Sequence, residues 1–130
     1  MRFEAMASEL ALGVPSIDAS HKALFDQLQS VAVAPDAQFA LCFQRLVVTI
    51  EHHFADEEAL MKALDYPPHE SHREEHARVL SSLHHALRRV RKGELAVGRE
   101  VVSLLPAWFA FHFKTMDTAL AAEYQALAPA

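Results

Sequence analysis

Residues 39–64 place a histidine and a glutamate on the apolar stripe of one predicted helix. Apolar side chains recur there at three- and four-residue steps, which is typical of a helix with one buried face. His53 and Glu57 fall on this stripe four residues apart, so both are expected to point into the protein interior. A buried carboxylate without a partner costs several kcal/mol, and a metal ion is one of the few partners that can hold both groups. The apolar members of the stripe are Phe39, Phe43, Leu46, Val47, Ile50, Phe54, Met61 and Leu64.

Composition favours one all-α domain over residues 1–130. Half of the chain is apolar (52%) and it has only 3 glycines, which suits helices packed around a single core. A formal net charge of −5 leaves no broad basic face, so nucleic acid is not expected as a partner. No apolar run reaches the roughly 20 residues of a membrane span, and the first residues lack the charged region followed by a hydrophobic core that is typical of a signal peptide. We expect a cytoplasmic monomer, in which the single Cys42 can form no disulfide framework.

Four amphipathic segments separated by short breaks predict an antiparallel up-down-up-down four-helix bundle over residues 18–124. Residues 1–17 lack a sustained period and are expected to form an extended N-terminal arm, with Asp18 as the N-cap of the first helix. The later helices are predicted at residues 39–64, 69–91 and 95 or 99 to 124. Pro106 lies inside the last one, so we expect a kink there or a helix start nearer Leu104.

Histidines occupy the inward face of every predicted helix. They lie early in the first and third helices and late in the second and fourth, an order that brings them to one level when helices alternate in direction. Asp117 is the one awkward member, because five residues after His112 it points about 140° away on a regular helix. Either the helix loosens there or Asp117 reaches back. The predicted layer contains His21, His53, Glu57, His72, His76, His112 and Asp117.

Five imidazoles and two carboxylates without sulfur suit a first-row metal such as iron and are too many for one ion. Two six-coordinate ions offer twelve positions. Five histidines, two carboxylates that each bridge both ions, and one shared oxide or hydroxide fill eleven of them. The count leaves one position for a small neutral ligand.

Five motifs in this order resemble the hemerythrins, most closely the bacterial single-domain form. They are Ile17-Asp18-x-x-His21-Lys22-x-Leu24-Phe25, His53-Phe54-x-x-Glu57-Glu58-x-x-Met61, Tyr66-Pro67, His72-x-x-x-His76 and Trp108-x-x-x-His112-x-x-x-x-Asp117. The resemblance implies a four-helix bundle holding two iron ions (Fe2+/Fe3+) with a bridging oxide or hydroxide, which binds O2 reversibly.

The same resemblance assigns the individual residues. It implies one iron on His72, His76 and His112 and the other on His21 and His53, with Glu57 and Asp117 bridging, and with O2 bound at the two-histidine iron. The residues expected to form the O2 pocket are Leu24, Phe54, Trp108, Phe109 and Phe113. His52, His69, His84 and His85 are expected at the surface, and Glu58 outside the ligand set.

We therefore expect an O2 carrier, store or delivery protein, not an enzyme, whose partners are O2 and an O2-consuming recipient protein. The alternatives are a module that senses O2, redox state or iron, a di-iron oxidase-type enzyme, and a zinc-loaded scaffold. A single inward histidine is also often a hydrogen-bonded core residue. Five imidazoles and two carboxylates at one level without a metal would be very costly to bury, which disfavours that interpretation.

Overall fold

A computed structural model describes residues 15–127, all of whose regular structure is helical. The elements in chain order are α1 (Pro15–Ala32), α2 (Asp36–Ala63), α3 (His69–Arg91), α4 (Leu95–His112), a π-helical turn (Phe113–Asp117) and α5 (Thr118–Leu127). The last three form one continuous rod, so the described chain has four rods. None of its helices is long and apolar enough to cross a membrane.

The rods form the predicted antiparallel four-helix bundle. Each helix packs against the next along the chain, and α1 also packs against α4, so the bundle is closed. Residues 33–35, 64–68 and 92–94 are the only connections between rods, and such short links reverse the chain direction. The N-terminal arm expected at residues 1–17 lies outside the described residues up to residue 14.

The core fills the space between the rods. Its largest fully buried side chains include six phenylalanines, and burying one contributes about 1.5–3 kcal/mol. The stripe predicted on α2 is buried over nearly its whole length, with His53 and Glu57 among its apolar members. A small separate cluster of Met61, Tyr66 and Leu120 lies beyond the site, one turn after Glu57 and Asp117.

Several helix ends differ from the sequence predictions. α1 begins at Pro15, so Asp18 is in its first turn and is not the N-cap. Proline fits the first turn of a helix because the amide it lacks would have no partner there. Of the two alternatives given for Pro106, the start nearer Leu104 is wrong, since α4 runs from the predicted start at Leu95 through Pro106. The buried residues of α4 on both sides of this proline stabilise the helix, which outweighs one lost backbone hydrogen bond.

A π-helical turn resolves the awkward position of Asp117. The backbone N–H of Thr118 donates to the carbonyl of Phe113, five residues earlier, and the Thr118 hydroxyl donates to the same oxygen at 2.8 Å. This wider turn brings residues five apart onto one face, whereas an α-helix separates them. The helix therefore loosens where the sequence required it, and both His112 and Asp117 are fully buried.

Candidate metal centre

All seven residues of the predicted layer come together at one level of the bundle. None is more than 5% exposed, although every one is polar. α1 provides one of them, α2 and α3 two each, and the rod containing α4 and the π turn the last two. The structure thus brings together the seven side chains that the sequence placed at one level.

Three histidines converge from α3 and α4. The Nε2 atom of His112 lies 3.1 Å from Nε2 of His72 and 3.2 Å from Nε2 of His76. A neutral imidazole that donates from one nitrogen has no hydrogen on the other, so these three atoms cannot all satisfy one another. They aim at a common point.

Two histidines from α1 and α2 form a second set with the carboxylates. His53 Nε2 lies 2.8 Å from Glu57 Oε2, and His21 Nε2 lies 3.1 Å from Asp117 Oδ2. The ligand atoms thus divide into two groups that could each hold an ion. One group is Glu57, His72, His76 and His112, and the other is His21, His53, Glu57 and Asp117.

Both carboxylates divide their oxygens between the two sets. Glu57 directs Oε2 to His53, while its Oε1 lies 3.1 Å from Nε2 of His72. Asp117 directs Oδ2 to His21, while its Oδ1 lies 3.1 Å from Nε2 of His112. This is the arrangement of two carboxylates that bridge a pair of ions.

Polar atoms without partners show that the residues fit such a pair. His53 Nε2, both oxygens of Glu57 and Oδ1 of Asp117 are buried without a hydrogen bond in the described structure. Groups of this kind are rarely left unpaired, because their desolvation costs about 1–3 kcal/mol each. Ligands about 2.1 Å from an ion and at right angles to one another lie about 3 Å apart, as these atoms do. The donor set consists of imidazole nitrogens and carboxylate oxygens without sulfur, and iron accepts such a set.

The carboxylates also set the charge of the cluster. Burial would lower the pKa of His112, but Asp117 and Glu57 raise it to about 10. They raise the pKa values of His21 and His72 against burial as well. Burial would raise the pKa values of Glu57 and Asp117, yet the surrounding imidazoles hold both below their ordinary range. Without metal, protons on the imidazoles provide the positive charge that the carboxylates need.

Three further side chains contact the outer nitrogens of the cluster, which are the Nδ1 atoms on the side of each imidazole away from the other ligand atoms. Ser20 Oγ lies 2.7 Å from Nδ1 of His53, Glu58 Oε2 3.2 Å from Nδ1 of His76, and Glu75 Oε1 3.1 Å from Nδ1 of His112. Glu58 therefore lies outside the ligand set, as expected. Glu75 was missed by the sequence reasoning, although its place three residues after His72 puts it beside the inward stripe.

The residues expected to form the O2 pocket divide between the two sets. Phe113 stacks on His21 with ring centroids 3.5 Å apart. Phe54 stacks on His76 at 3.8 Å and also approaches His53 at 5.8 Å. Phe109 and Leu24 are fully buried in the adjoining core.

Trp108 is the member of this group that lies elsewhere. It stacks on His112 with centroids 4.8 Å apart, beside the three-histidine set, and is only partly buried. Its described ring contacts do not include the histidines of the other set.

The remaining histidines are at the surface. His52, His69 and His85 are exposed and His84 is half-exposed, so the prediction that these four lie off the cluster is confirmed. Cys42 is partly buried against the main core and free of any disulfide.

Comparison with known proteins agrees with this geometry. The family model described as the Hemerythrin HHE cation binding domain matches residues 12–124. The chain belongs to the hemerythrin family. A bacteriohemerythrin from Ralstonia nicotianae is similar to it, with 42% identity over 108 residues that cover 83% of this chain and 79% of that protein. A myohemerythrin from Theromyzon tessulatum is 31% identical over 102 residues, or 78% of this chain and 77% of that protein. No solved structure matches the chain.

The expected likeness to bacterial hemerythrins is thus confirmed. As a hemerythrin, the chain forms a non-haem iron, O2-binding domain. Proteins of this family bind a di-iron centre, and the buried histidine and carboxylate cluster described above can hold metal.

Proposed function

We propose that residues 1–130 form a single domain that binds O2 reversibly at a di-iron centre and acts as a carrier, store or delivery protein, not as a catalyst. The observation that supports this most is the division of the Glu57 and Asp117 oxygens between two histidine sets. In this proposal His72, His76 and His112 hold one iron, His21 and His53 hold the other, and the two carboxylates bridge. An iron pair held by these residues would supply the electrons that reversible O2 binding needs.

We place O2 at the two-histidine set, because that set has the fewer protein ligands. Each carboxylate directs one oxygen at each set, so the set with two histidines has one protein ligand fewer than the set with three. Phe113 lies flat against His21 and so covers this side of the cluster with hydrocarbon.

The protein's own contribution is to keep protons away. Leu24, Phe54, Phe109 and Phe113 carry hydrocarbon side chains and are at most 1% exposed. The indole N–H of Trp108 is the one donor in the proposed pocket, and its ring lies against His112, beside the other set. A dry site without donors slows proton transfer to bound O2 and hence its irreversible reduction. This favours release of the ligand unchanged.

Reversible binding is tested by loading the protein with Fe2+ without air and then admitting O2. We expect a visible charge-transfer band that appears in air and disappears under argon over repeated cycles. Irreversible bleaching would favour oxidase-type chemistry, and absence of a band would favour a zinc-loaded or structural role. Transfer of bound O2 to an O2-consuming enzyme, with the domain remaining monomeric, would distinguish a delivery protein from a sensing module.

The ligand assignment is tested by substitution. His76→Ala or Glu57→Ala should lower the iron content, because each removes a buried ligand. His84→Ala is the matched control, since His84 is half-exposed and lies outside both sets. Equal iron loss in all three variants would defeat the assignment.

A further inference from the structure

The outer nitrogens of the five imidazoles have different hydrogen-bond partners in the two sets. In the three-histidine set, His76 and His112 each direct Nδ1 at a carboxylate, of Glu58 at 3.2 Å and of Glu75 at 3.1 Å. An anionic acceptor on the outer nitrogen makes the imidazole a more basic ligand and fixes its orientation. His72 Nδ1 has no hydrogen-bond partner among the described residues. Two of the three histidines in this set are therefore supported by negative charge from outside.

The two-histidine set has no such charge on its outer nitrogens. His53 Nδ1 lies 2.7 Å from the Ser20 hydroxyl, which is neutral. His21 Nδ1 has no hydrogen-bond partner among the described residues. Ser20 thus makes the one described hydrogen bond to an outer nitrogen on this side of the cluster.

We propose that Ser20 is the positioning residue for His53 and sets how tightly the two-histidine set holds its ion. The inference rests on the proposed ligand role of His53. Its Nε2 faces Glu57, so the hydrogen of the metal-binding tautomer is on Nδ1, where the Ser20 oxygen accepts it. Because Ser20 is on α1 and His53 on α2, this bond holds the ring at a fixed angle between two helices.

A neutral acceptor leaves this side the weaker of the two. A hydroxyl withdraws the Nδ1 hydrogen less than a carboxylate does, so His53 donates less charge through Nε2 than His76 or His112. Ser20 also lines a solvent-accessible cavity of about 220 Å³ with His53 and Glu57. The ion in the two-histidine set is thus less strongly held, and it should leave first.

The test uses Co2+ as the probe and measures its release to an excess of chelator. Wild-type protein should bind two ions per chain and release them in two phases, the faster one from the two-histidine set. Ser20→Val and Ser20→Thr are a matched pair, because they share shape and β-branching and differ in the hydroxyl. Val should accelerate the fast phase about 10-fold, the lower end for loss of an outer contact, because water in the cavity can replace part of the hydrogen bond. Thr should release Co2+ at the wild-type rate, and Ser20→Ala provides a second variant without a hydroxyl.

Glu75→Gln is the control on the opposite side. It should accelerate the slow phase and leave the fast phase unchanged, because it weakens the acceptor of His112. Nitrogen NMR of the Zn2+-loaded protein should show a changed Nδ1 resonance of His53 in the Val variant but not in the Thr variant.

Two results would overturn the proposal and have separate meanings. Equal release rates for the Val and Thr variants, with two ions still bound, would remove the role of Ser20 and leave the ligand assignment intact. Failure of the wild-type protein to bind two ions would overturn both.

Discussion

Gly98 allows a close approach of three helices at the end of the bundle opposite the metal centre, and Gly98→Ala should destabilise the fold. A Cβ atom at this position would lie 2.5 Å from Cγ2 of Val90 and 2.7 Å from Cε2 of Phe39. Carbon atoms prefer a separation of about 3.5–4.0 Å, so both contacts are roughly 1 Å too short. Val90 and Phe39 are 1% and 0% exposed, and neither has solvent to move into.

The size of the effect follows from two opposed terms. Overpacking costs about 1–3 kcal/mol and should cost about 2–3 kcal/mol here, because two buried side chains are overlapped at once, while alanine in place of glycine within a helix gains about 1 kcal/mol. The net loss should be about 1–2 kcal/mol in the free energy of unfolding, or a fall in Tm of roughly 3–10 °C for a domain of this size. Iron content should not change, since Gly98 lies fourteen residues, roughly 21 Å of helix, before His112.

Thermal unfolding of the metal-free protein, followed by far-UV circular dichroism, measures the effect. Ala77→Gly is the matched control, because Ala77 is exposed in the interior of α3 and reports the propensity term alone. That variant should lose about 1 kcal/mol. If Gly98→Ala instead gains what Ala77→Gly loses, the close packing at this position does not exist in solution.

Two further predictions concern pH and Pro106. His112 has a raised folded-state pKa of about 10, so its contribution to metal-free stability is complete below its ordinary value of 6.5 and is lost as pH rises toward 10. The lowered pKa values of Glu57 and Asp117 give a contribution that is present above their ordinary values of 4.5 and 3.8 and is lost in acid. The Tm of the metal-free protein should therefore fall both in acid and at alkaline pH. Zn2+ loading should remove most of the alkaline fall. A metal-free Tm that does not change with pH would contradict these charge interactions. Pro106→Ala should raise Tm by restoring a backbone N–H inside α4, by about 1 kcal/mol or more of stability, and an unchanged or lower Tm would show that the helix has adapted to the proline.

The arrangement of the site could be predicted from the sequence because it follows from the regular spacing of residues along helices. His53 and Glu57 share an α-helical stripe, and the alternation of early and late positions along successive helices requires only that neighbours be antiparallel. Both features depend on spacing, which the sequence displays directly. The structure accordingly brings all seven predicted side chains to one level.

What the sequence could not predict depends on local departures from regular spacing or on contacts between helices. The π turn changes which face Asp117 occupies, and no residue type in Phe113–Asp117 requires such a turn. The stacking of Trp108 on His112 and the reach of Glu75 from α3 to α4 depend on side-chain directions across an interface. The helical start at Pro15 agrees with the preference of proline for a first turn, but that preference alone does not distinguish a helix start from the extended arm that was predicted.

Metal analysis of protein loaded with Fe2+ without air and then desalted is the decisive measurement. Two histidine sets that share both carboxylates require two irons per chain. A value of two in the wild-type protein, falling when Glu57 is replaced, is the predicted result. One iron per chain, or two that persist without Glu57, would contradict a centre bridged by that carboxylate.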